Sequence, residues 1–566
     1  MWLILLILVF AATLNDYSNA NTRNEELIDK TEMEIIDRIR DKGDEALRMF
    51  HLTPEAMEKL EEFKQLPTME LDHLNPHGDY IDEINKKDKI DEKLFQGDIY
   101  LTKEQGKIII SELEEELEGI NRRKRQAFKD KDGVRLWKNH TVLYFFDENL
   151  NETAERAFLR AAEMWTKDTC IEFIEGVNET AQENLLVYAG EGCWSNLGKV
   201  GKWQYISLAA GCETTSIASH EIGHILGFYH TMSRHDRDKY IIVDLENIKK
   251  EFRSEFVWRT EDENDNFDLD YDYGSIMHYR ASDGAINRTR PTLIPYDTYY
   301  RQTLGSPFVS FIDVLMLNKL YGCNKLCEHK QMKNGINGKT RNEECQNGGY
   351  LHPLNCSKCV CPDGYAGDRC NERPRGSPVE CGDTFNASNE WKNFTDRLGD
   401  GAVDHYKENY TKCYYWIQSP NNTEIEVEIV NFSRHHAFEG CPNAGVEIKT
   451  NKNQQLTGYR FCSKSAAGTK LRSYTNRVPI ITWNKFNVSS ATLRYRHVPK
   501  DEPRPTTVRP PTRRVTRPPS VQEQNKCEDK PGCAEQIAKG FCYLVPYEHK
   551  MAYCPRGCDL CGPGRF

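Results

Sequence analysis

Hydrophobic and polar residues divide this chain of 566 residues into stretches of different character. An apolar run covers Trp2–Leu14, and residues 21 to about 120 are then charged, with helical stretches such as SELEEELEGI. From Gln126 to about Gly322 the pattern is that of a globular domain. There RAFLRAAEMWTKDTCIEFIE predicts an amphipathic helix followed by a short strand, and SIASHEIGHILGFYH predicts a second helix that ends near Gly227.

After residue 322 the chain changes character four more times. Cysteines are dense from Cys327 to Cys370, and from Cys381 to about Val498 alternating segments such as EIEVEIV and VPIITW predict an all-β sandwich. Residues 499–526 are rich in Pro, Thr and Arg and cannot build a core, so we expect an extended linker. Six cysteines follow between Cys527 and Cys561. We therefore expect a multidomain protein.

The first apolar run has the form of a secretory signal. Trp2–Leu14 is shorter than the roughly 18 residues that a membrane span needs. Ser18-Asn19-Ala20 supplies a small-x-small cleavage site. We expect a signal peptide at residues 1–20 and a secreted, extracellular protein without membrane insertion; a membrane anchor is the alternative.

The 20 cysteines suit the oxidising compartment that a signal peptide implies. None precedes Cys170, and each cluster holds an even number, so we expect no free thiol. The half-cystines expected are Cys170, Cys323, Cys193, Cys212, Cys327, Cys356, Cys345, Cys359, Cys361, Cys370, Cys381, Cys413, Cys441, Cys462, Cys527, Cys561, Cys533, Cys554, Cys542 and Cys558.

Eleven N-x-[ST] sequons fit a secreted glycoprotein. They lie at Asn139, Asn151, Asn178, Asn287, Asn355, Asn386, Asn393, Asn409, Asn421, Asn431 and Asn487. The formal net charge of −11 leaves no basic footprint for nucleic acid, so we expect no such partner.

The stretch HEIGHILGFYH has the spacing of a metal site. His220 and His224 stand four residues apart and share one helical face. Gly227 allows a sharp turn that brings His230 back as a third ligand. Three nitrogen ligands leave a position for water, whose pKa zinc lowers towards neutrality, and Glu221 can take its proton as general base. Three core histidines that bind no metal are the alternative.

The extended H-E-x-x-H-x-x-G-x-x-H spacing, with SIMHY downstream as the Met-turn, resembles the astacin family of metzincins. GCWSNLG and LAAGCETTSIASHE extend the resemblance over about residues 126–323. It implies an α+β metzincin domain at 126–324 that acts as a zinc metalloendopeptidase, with one Zn²⁺ per subunit.

The same resemblance implies roles for further residues. Met277 would underlie the zinc as a hydrophobic base, and Tyr279 would help to stabilise the tetrahedral intermediate. The family pattern implies the disulfides Cys170–Cys323 and Cys193–Cys212. One departure is Thr231, where many astacins have a glutamate that meets the mature N-terminus; this variation resembles a nematode subgroup.

A propeptide is expected at residues 21–125. Its last residues, Arg122-Arg123-Lys124-Arg125, match the sites that furin-like convertases cut. Gly97-Asp98 in LFQGDIYL resembles the family's inhibitory motif, in which Asp98 would take the water position on zinc. A basic surface loop and a simple Gly-Asp turn are the respective alternatives.

The cysteine clusters resemble three accessory modules. They are an EGF-like domain at 325–371, a CUB domain at 381–498 and a ShKT domain at 527–561. We predict no calcium, because acidic residues are missing before Cys327 and the usual Tyr-Asp of a calcium-binding CUB domain is replaced by Asn443-Ala444. Stapled spacers that bind nothing are the alternative.

The sequence thus predicts a secreted zinc metalloendopeptidase made as a zymogen. Resemblance to nematode astacins suggests cuticle collagen or other matrix proteins as substrates, in moulting or cuticle assembly. The alternative is a catalytically impaired matrix-adhesion protein that uses its EGF, CUB and ShKT modules. The intact Glu221 favours the enzyme.

Overall fold

A computed structural model describes most of the chain between residues 30 and 504. The described residues are 30–49, 52–65, 71–72, 78–117, 135–176, 184–201, 203–259, 265–327, 345–399, 407–504 and 533–534. Predictions that lie outside them are the signal peptide at 1–20, Arg125, Asn178, the linker from 505 to 526, and the ShKT region except Cys533 and its neighbour.

Two compact units make up the chain, one of Met1–Leu47 with Leu52–Arg504 and one of Arg48–His51 with Pro505–Phe566. The helices and sheets between residues 52 and 504, and nearly all of the first helix, belong to the first unit. Within the described part of the chain, no helix combines the length and the apolar character that crossing a bilayer requires.

Residues 30–117 are here called the N-terminal segment, and their described part is mainly helical. The elements are α1 (Lys30–Met49), α2 (Pro54–Lys64), α3 (Ile81–Asp88), β1 (Ile99–Tyr100) and α4 (Lys103–Leu117). Thr53 caps α2 by accepting a hydrogen bond from the backbone N–H of Ala56, with proline at the first helical position. Apolar residues of α1 and α4 share a buried cluster with Leu197, Tyr229 and Val257. Burial of that surface attaches the N-terminal segment to the domain that follows it.

Residues 135–327 are here called the central domain, and their described part contains a sheet and three α-helices. Its strands are β2 (Thr141–Phe146), β3 (Glu172–Glu175), β4 (Asn184–Tyr188), β5 (Cys193–Asn196), β6 (Trp203–Leu208), β7 (Ile241–Val243) and β8 (Leu293–Pro295). Its helices are α5 (Glu152–Thr166), α6 (Thr215–Ile225) and α7 (Phe311–Leu320). The helix–strand succession of α5 and β3 and the second helix, α6, confirm the two predictions from hydrophobic spacing.

The main sheet has the order β1-β5-β6-β4-β2-β3, so the N-terminal segment supplies its edge strand. Only β5 and β6 pair antiparallel in this sheet. Strands β7 and β8 form a separate antiparallel pair. Disulfides join Cys170 to Cys323 and Cys193 to Cys212. The helices α5 and α6 pack together, and the Trp165 indole donates to the carbonyl oxygen of Ser219 at 2.8 Å. This contact holds α6, which carries His220 and His224, against the core.

A small cysteine-rich region follows the central domain. It has the strand pair β9 (Tyr350–Leu351) and β10 (Cys359–Val360). Its disulfides are Cys327–Cys356, Cys345–Cys359 and Cys361–Cys370. Val360 packs against Phe311 and Leu315 of α7, which fixes the region to the central domain.

Two facing sheets make up the last described region, here called the β-sandwich. The strands are β11 (Thr384–Asn386), β12 (Lys392–Leu398), β13 (Thr411–Gln418), β14 (Thr423–Phe432), β15 (Ala444–Ile448), β16 (Tyr459–Phe461), β17 (Lys470–Arg472), β18 (Arg477–Asn484) and β19 (Ser489–Pro499). The sheet orders are β11-β13-β18-β15-β16 and β12-β19-β14-β17. Disulfides Cys381–Cys413 and Cys441–Cys462 lie in this region. The all-β prediction for this stretch therefore agrees with the structure.

Polar contacts lock the β-sandwich to the central domain. The Arg460 guanidinium is buried, pairs with Glu447 at 2.9 Å and donates to Ser306 Oγ at 2.6 Å. Gly440 lies so close to Gly305 that a Cβ at Gly440 would overlap the Gly305 carbonyl oxygen. The contact is between backbones and leaves no space for a side chain at Gly440.

Two glycine variants test this joint. Gly440 (φ +75°) and Gly468 (φ +89°) share the left-handed conformation, but a Cβ at Gly468 meets nothing within 4 Å. We predict that Gly440→Ala lowers the free energy of unfolding by about 1–3 kcal/mol more than Gly468→Ala, because only the first overpacks. Urea unfolding of both variants measures the difference. Equal losses would show that the close approach contributes nothing to stability.

Candidate metal centre

Three histidine side chains converge on one point at the end of α6. His220 and His224 lie on the same face of this helix, and Gly227, with φ of +103°, turns the chain so that His230 returns. The Nε2 atom of His220 lies 3.1 Å from Nε2 of His224 and 3.1 Å from Nε2 of His230. All three residues are buried.

The opposite ring nitrogens decide what this cluster can bind. Nδ1 of His220 contacts the carbonyl oxygen of Ile276 at 2.8 Å, and Nδ1 of His224 contacts that of Phe228 at 2.7 Å. A carbonyl oxygen only accepts, so each Nδ1 carries the proton and each Nε2 presents a lone pair. Two unprotonated nitrogen atoms 3.1 Å apart cannot form a hydrogen bond to each other, because neither has a proton to donate. They fit a shared cation.

His230 is oriented by the N-terminal segment. Its Nδ1 lies 3.0 Å from Oε1 of Gln96. Burial lowers the pKa of His230 to about 3, so the ring is neutral at physiological pH, which is the metal-binding form.

Asp98 completes the cluster with oxygen ligands. Its Oδ2 lies 3.1 Å from Nε2 of His220 and of His230, and its Oδ1 lies 3.5 Å from Nε2 of His224. One ligand atom from each of the four residues lies within 4.8 Å of the others. Three imidazole nitrogens and one carboxylate match the donor set of four-coordinate zinc.

A buried asparagine holds Asp98 in place. The Asn85 side chain donates to the carbonyl oxygens of Gly97 and Cys193, at 2.8 and 2.7 Å, and accepts from the Cys193 N–H at 2.6 Å. Ser195 N–H donates to the carbonyl oxygen of Asp98 at 3.0 Å. The turn that carries Asp98 is thereby fixed to β5.

Glu221 lies beside the cluster and is fully buried. Among the described residues, neither of its carboxylate oxygens has a hydrogen-bond partner. Burial raises the pKa of Glu221 well above its ordinary value, and the negative charge of Asp98 adds to that shift. A buried and unpaired carboxylate is costly, and such groups concentrate at functional sites.

Comparison with known proteins identifies the family. The family model described as Astacin (Peptidase family M12A) matches residues 129–322. Zinc metalloproteinase nas-31 of Caenorhabditis elegans is 37% identical over 439 residues, which cover 77% of this chain and 69% of that protein. The chain belongs to the astacin family. It is an astacin-type zinc metalloproteinase, and the family uses one zinc.

The chain is also similar to other zinc proteases. Zinc metalloproteinase nas-32 of Caenorhabditis elegans is 31% identical, covering 75% of this chain and 61% of that protein. A solved structure, High choriolytic enzyme 1, a hatching enzyme zinc-protease from Oryzias latipes, is 28% identical over 35% of this chain and 99% of that chain, with a TM-score of 0.33.

The Met-turn of this astacin supports the histidines from below. Gly223 stands between the two helical histidines, and a Cβ there would overlap the sulfur of Met277. Ile276, one residue earlier, supplies the carbonyl that orients His220. Small size at Gly223 is therefore what allows the methionine to seat under the zinc-motif helix.

Tyr279 packs its ring 4.5 Å from the ring of His230, centre to centre. Its hydroxyl donates to the backbone carbonyl of Gln96. The N-terminal segment therefore makes two contacts here: Gln96 accepts the hydrogen bond of the Tyr279 hydroxyl, and Asp98 contacts the three histidines.

Thr231 shows what this astacin has in place of the usual glutamate. Its N–H donates to the Met277 carbonyl at 2.8 Å, and its hydroxyl donates to Ser275 Oγ at 2.9 Å. Ser275 donates in turn to Asp313 Oδ1 at 2.6 Å, and Asp313 Oδ2 accepts from the Ile276 N–H. Burial raises the pKa of Asp313 to about 6. The hydroxyl groups of Thr231 and Ser275 thus link the loop that follows His230 to the Met-turn and to α7.

Sequence reasoning missed three residues that shape this site, namely Gln96, Asn85 and Asp313. Only Asp313 had a local signal, since Ser310 and Asp313 form a capping box at the start of α7.

We predict that Gly223→Ala weakens zinc binding roughly tenfold or more, because the added methyl group displaces Met277 and tilts the helix that carries two histidines. Titration against a chelating dye measures the affinity. Ser216→Ala, in the first turn of the same helix, is the control and is expected to bind zinc as the parent does. An unchanged affinity in Gly223→Ala would remove the methionine contact from its supporting role.

Proposed function

We propose that this chain is a secreted zinc endopeptidase that is made latent and acts on extracellular proteins. The observation that carries the proposal is the buried Asp98 carboxylate among His220, His224 and His230. A carboxylate at that point fills the coordination position that catalysis needs for water. The same chain therefore supplies the site and its blocking group.

In the active form, His220, His224 and His230 would hold the zinc. A zinc ion bound there supplies Lewis acidity towards the scissile carbonyl and makes water acidic enough to lose a proton. Glu221 receives that proton and passes it to the leaving amine. Tyr279 donates its hydroxyl to the carbonyl oxygen once Gln96 has left.

The N-terminal segment has the contacts of a bound propeptide. Asp82 and Glu83 form ion pairs with Arg280 and Arg288 of the central domain. The Arg280 guanidinium lies 3.4 Å from the centre of the Tyr80 ring. With β1 in the sheet, these contacts hold the inhibitory turn over the metal centre. We propose residues 21–125 as the propeptide, released by a furin-like convertase at Arg125.

Surface chemistry supports secretion. The asparagine of every sequon in the described part of the chain is exposed, and all described cysteines are in disulfides. We propose glycosylation at the sequons, and we propose the EGF-like, CUB and ShKT modules at 325–371, 381–498 and 527–561. Similarity to nematode astacins favours matrix proteins such as cuticle collagen as substrates.

We predict that Glu221→Gln lowers kcat/KM for peptide hydrolysis by about 10²–10⁴-fold while zinc content is kept, because it removes the general base and leaves the ligands. Hydrolysis of a fluorogenic peptide by the activated protein, with metal analysis of the same sample, measures both. Activity equal to the parent's would contradict the role of Glu221 and favour the matrix-adhesion alternative.

We predict that Asp98→Ala makes the uncut precursor active, by about ten- to a hundredfold over the parent, because a charge-assisted contact to the metal centre is lost. The measurement uses precursors that carry Arg125→Ala, so that convertase cleavage does not contribute. Asp41→Ala, at an exposed position of α1, is the matched control and should stay latent. Equal latency in both variants would assign inhibition to some other part of the segment.

A further inference from the structure

The cleft at the metal centre is bounded by three parts of the chain. A cavity of about 770 Å³ opens at His220 and Asp98. The central domain and the N-terminal segment form two of its sides. The third side belongs to the β-sandwich, through Lys407, Tyr410, Phe438, Asn443 and Lys485.

The β-sandwich is fixed at the rim of this cleft. Glu439 Oε2 accepts from the hydroxyl and the N–H of Ser282, at 2.7 and 3.2 Å. Gly305, which lines the cavity, is in backbone contact with Gly440. Ser282 follows Tyr279 by three residues, so the β-sandwich contacts the same loop that carries Tyr279.

A polypeptide already lies between the metal centre and the β-sandwich. Asp79–Asp82 and Gln96–Asp98 of the N-terminal segment line the cavity. The Tyr80 hydroxyl contacts the Glu439 carbonyl at 3.4 Å. Asp72 exchanges two hydrogen bonds of 2.9 Å with the backbone of Ala437. The surface around 437–443 is therefore able to hold a peptide chain that also reaches the zinc ligands.

We propose that the β-sandwich is a wall of the substrate cleft and binds extended protein substrate beyond the zinc through Tyr410, Asn443 and Lys485. This inference rests on the proposed proteolytic function of the same site. The occupant is a stretch of substrate polypeptide, which takes the place that the N-terminal segment leaves on activation.

The wall offers the groups that an extended peptide needs. The Lys485 ammonium lies 5.1 Å from the centre of the Tyr410 ring. The Tyr410 hydroxyl donates to the Pro442 carbonyl at 2.7 Å, and this hydrogen bond fixes the position of the ring at the cleft. Phe438, which is buried while the N-terminal segment is in place, also lines the cavity. An ammonium group can donate to substrate carbonyl oxygens, and the rings can pack against substrate side chains.

Kinetics on two substrates test the wall. The activated protein is assayed with gelatin, which extends along the cleft, and with a short fluorogenic peptide that reaches only the residues beside the zinc. We expect Lys485→Ala to lower the ratio of kcat/KM for gelatin to that for the peptide roughly tenfold, through KM. Lys470→Ala, an exposed lysine of β17 outside the cavity, should leave the ratio as in the parent. An equal ratio in both variants would overturn the proposal.

A crosslinking measurement covers the case in which Lys485→Ala folds poorly. The photo-crosslinker p-benzoylphenylalanine replaces Tyr410 in the activated Glu221→Gln protein, which binds gelatin without cutting it. We expect crosslinked gelatin from this position and none above background from Lys470. Equal yields from both positions would overturn the proposal. Failure of the proteolytic function itself would show differently, as absence of hydrolysis of the short peptide by the parent.

Discussion

Hydrogen bonds to the Nδ1 atoms of three histidines are the constraint on which the rest of this site depends. Two go to backbone carbonyls, of Ile276 and Phe228, and the third goes to the Gln96 amide. They set the tautomer of each ring, and the tautomer points three lone pairs inward. Each carbonyl must therefore be placed to within a fraction of an ångström. The surrounding structure can be understood as the means of placing them.

Different elements place the different carbonyls. Phe228 follows directly from the turn at Gly227, so that bond is local. Ile276 belongs to the Met-turn, which is held by Asp313 of α7 and by the Thr231 backbone. Gln96 belongs to the N-terminal segment, so the partner of His230 comes from a part of the chain 134 residues away. The orientation of His230 therefore depends on a distant contact that the spacing of the motif does not convey.

The part of this arrangement that was readable in the sequence is the part set by local spacing. Helical periodicity put His220 and His224 on one face, and the glycine at 227 accounted for the return of His230. Asn85, Gln96 and Thr457 could not be found this way, because their partners lie far away in the sequence: Asn85 and Cys193, for example, are 108 residues apart. Contacts of that kind depend on how the domains pack against each other, which local patterns do not encode. In the β-sandwich, for example, hydrophobic alternation predicts the strands but does not predict which loop faces the cleft.

One such contact bears on how the protein is made. Asp272, just before the Met-turn, accepts from the N–H and the hydroxyl of Thr457 at 3.1 and 3.0 Å, across 185 residues. During synthesis, the ribosome delivers Asp272 long before Thr457 emerges, so the Met-turn stays without this clasp while the β-sandwich is translated. The N-terminal segment, synthesised first, is already available to pack on the nascent central domain. Until the β-sandwich has folded, the contacts that can hold the Met-turn are those within the central domain, from Asp313 of α7 and from the Thr231 backbone.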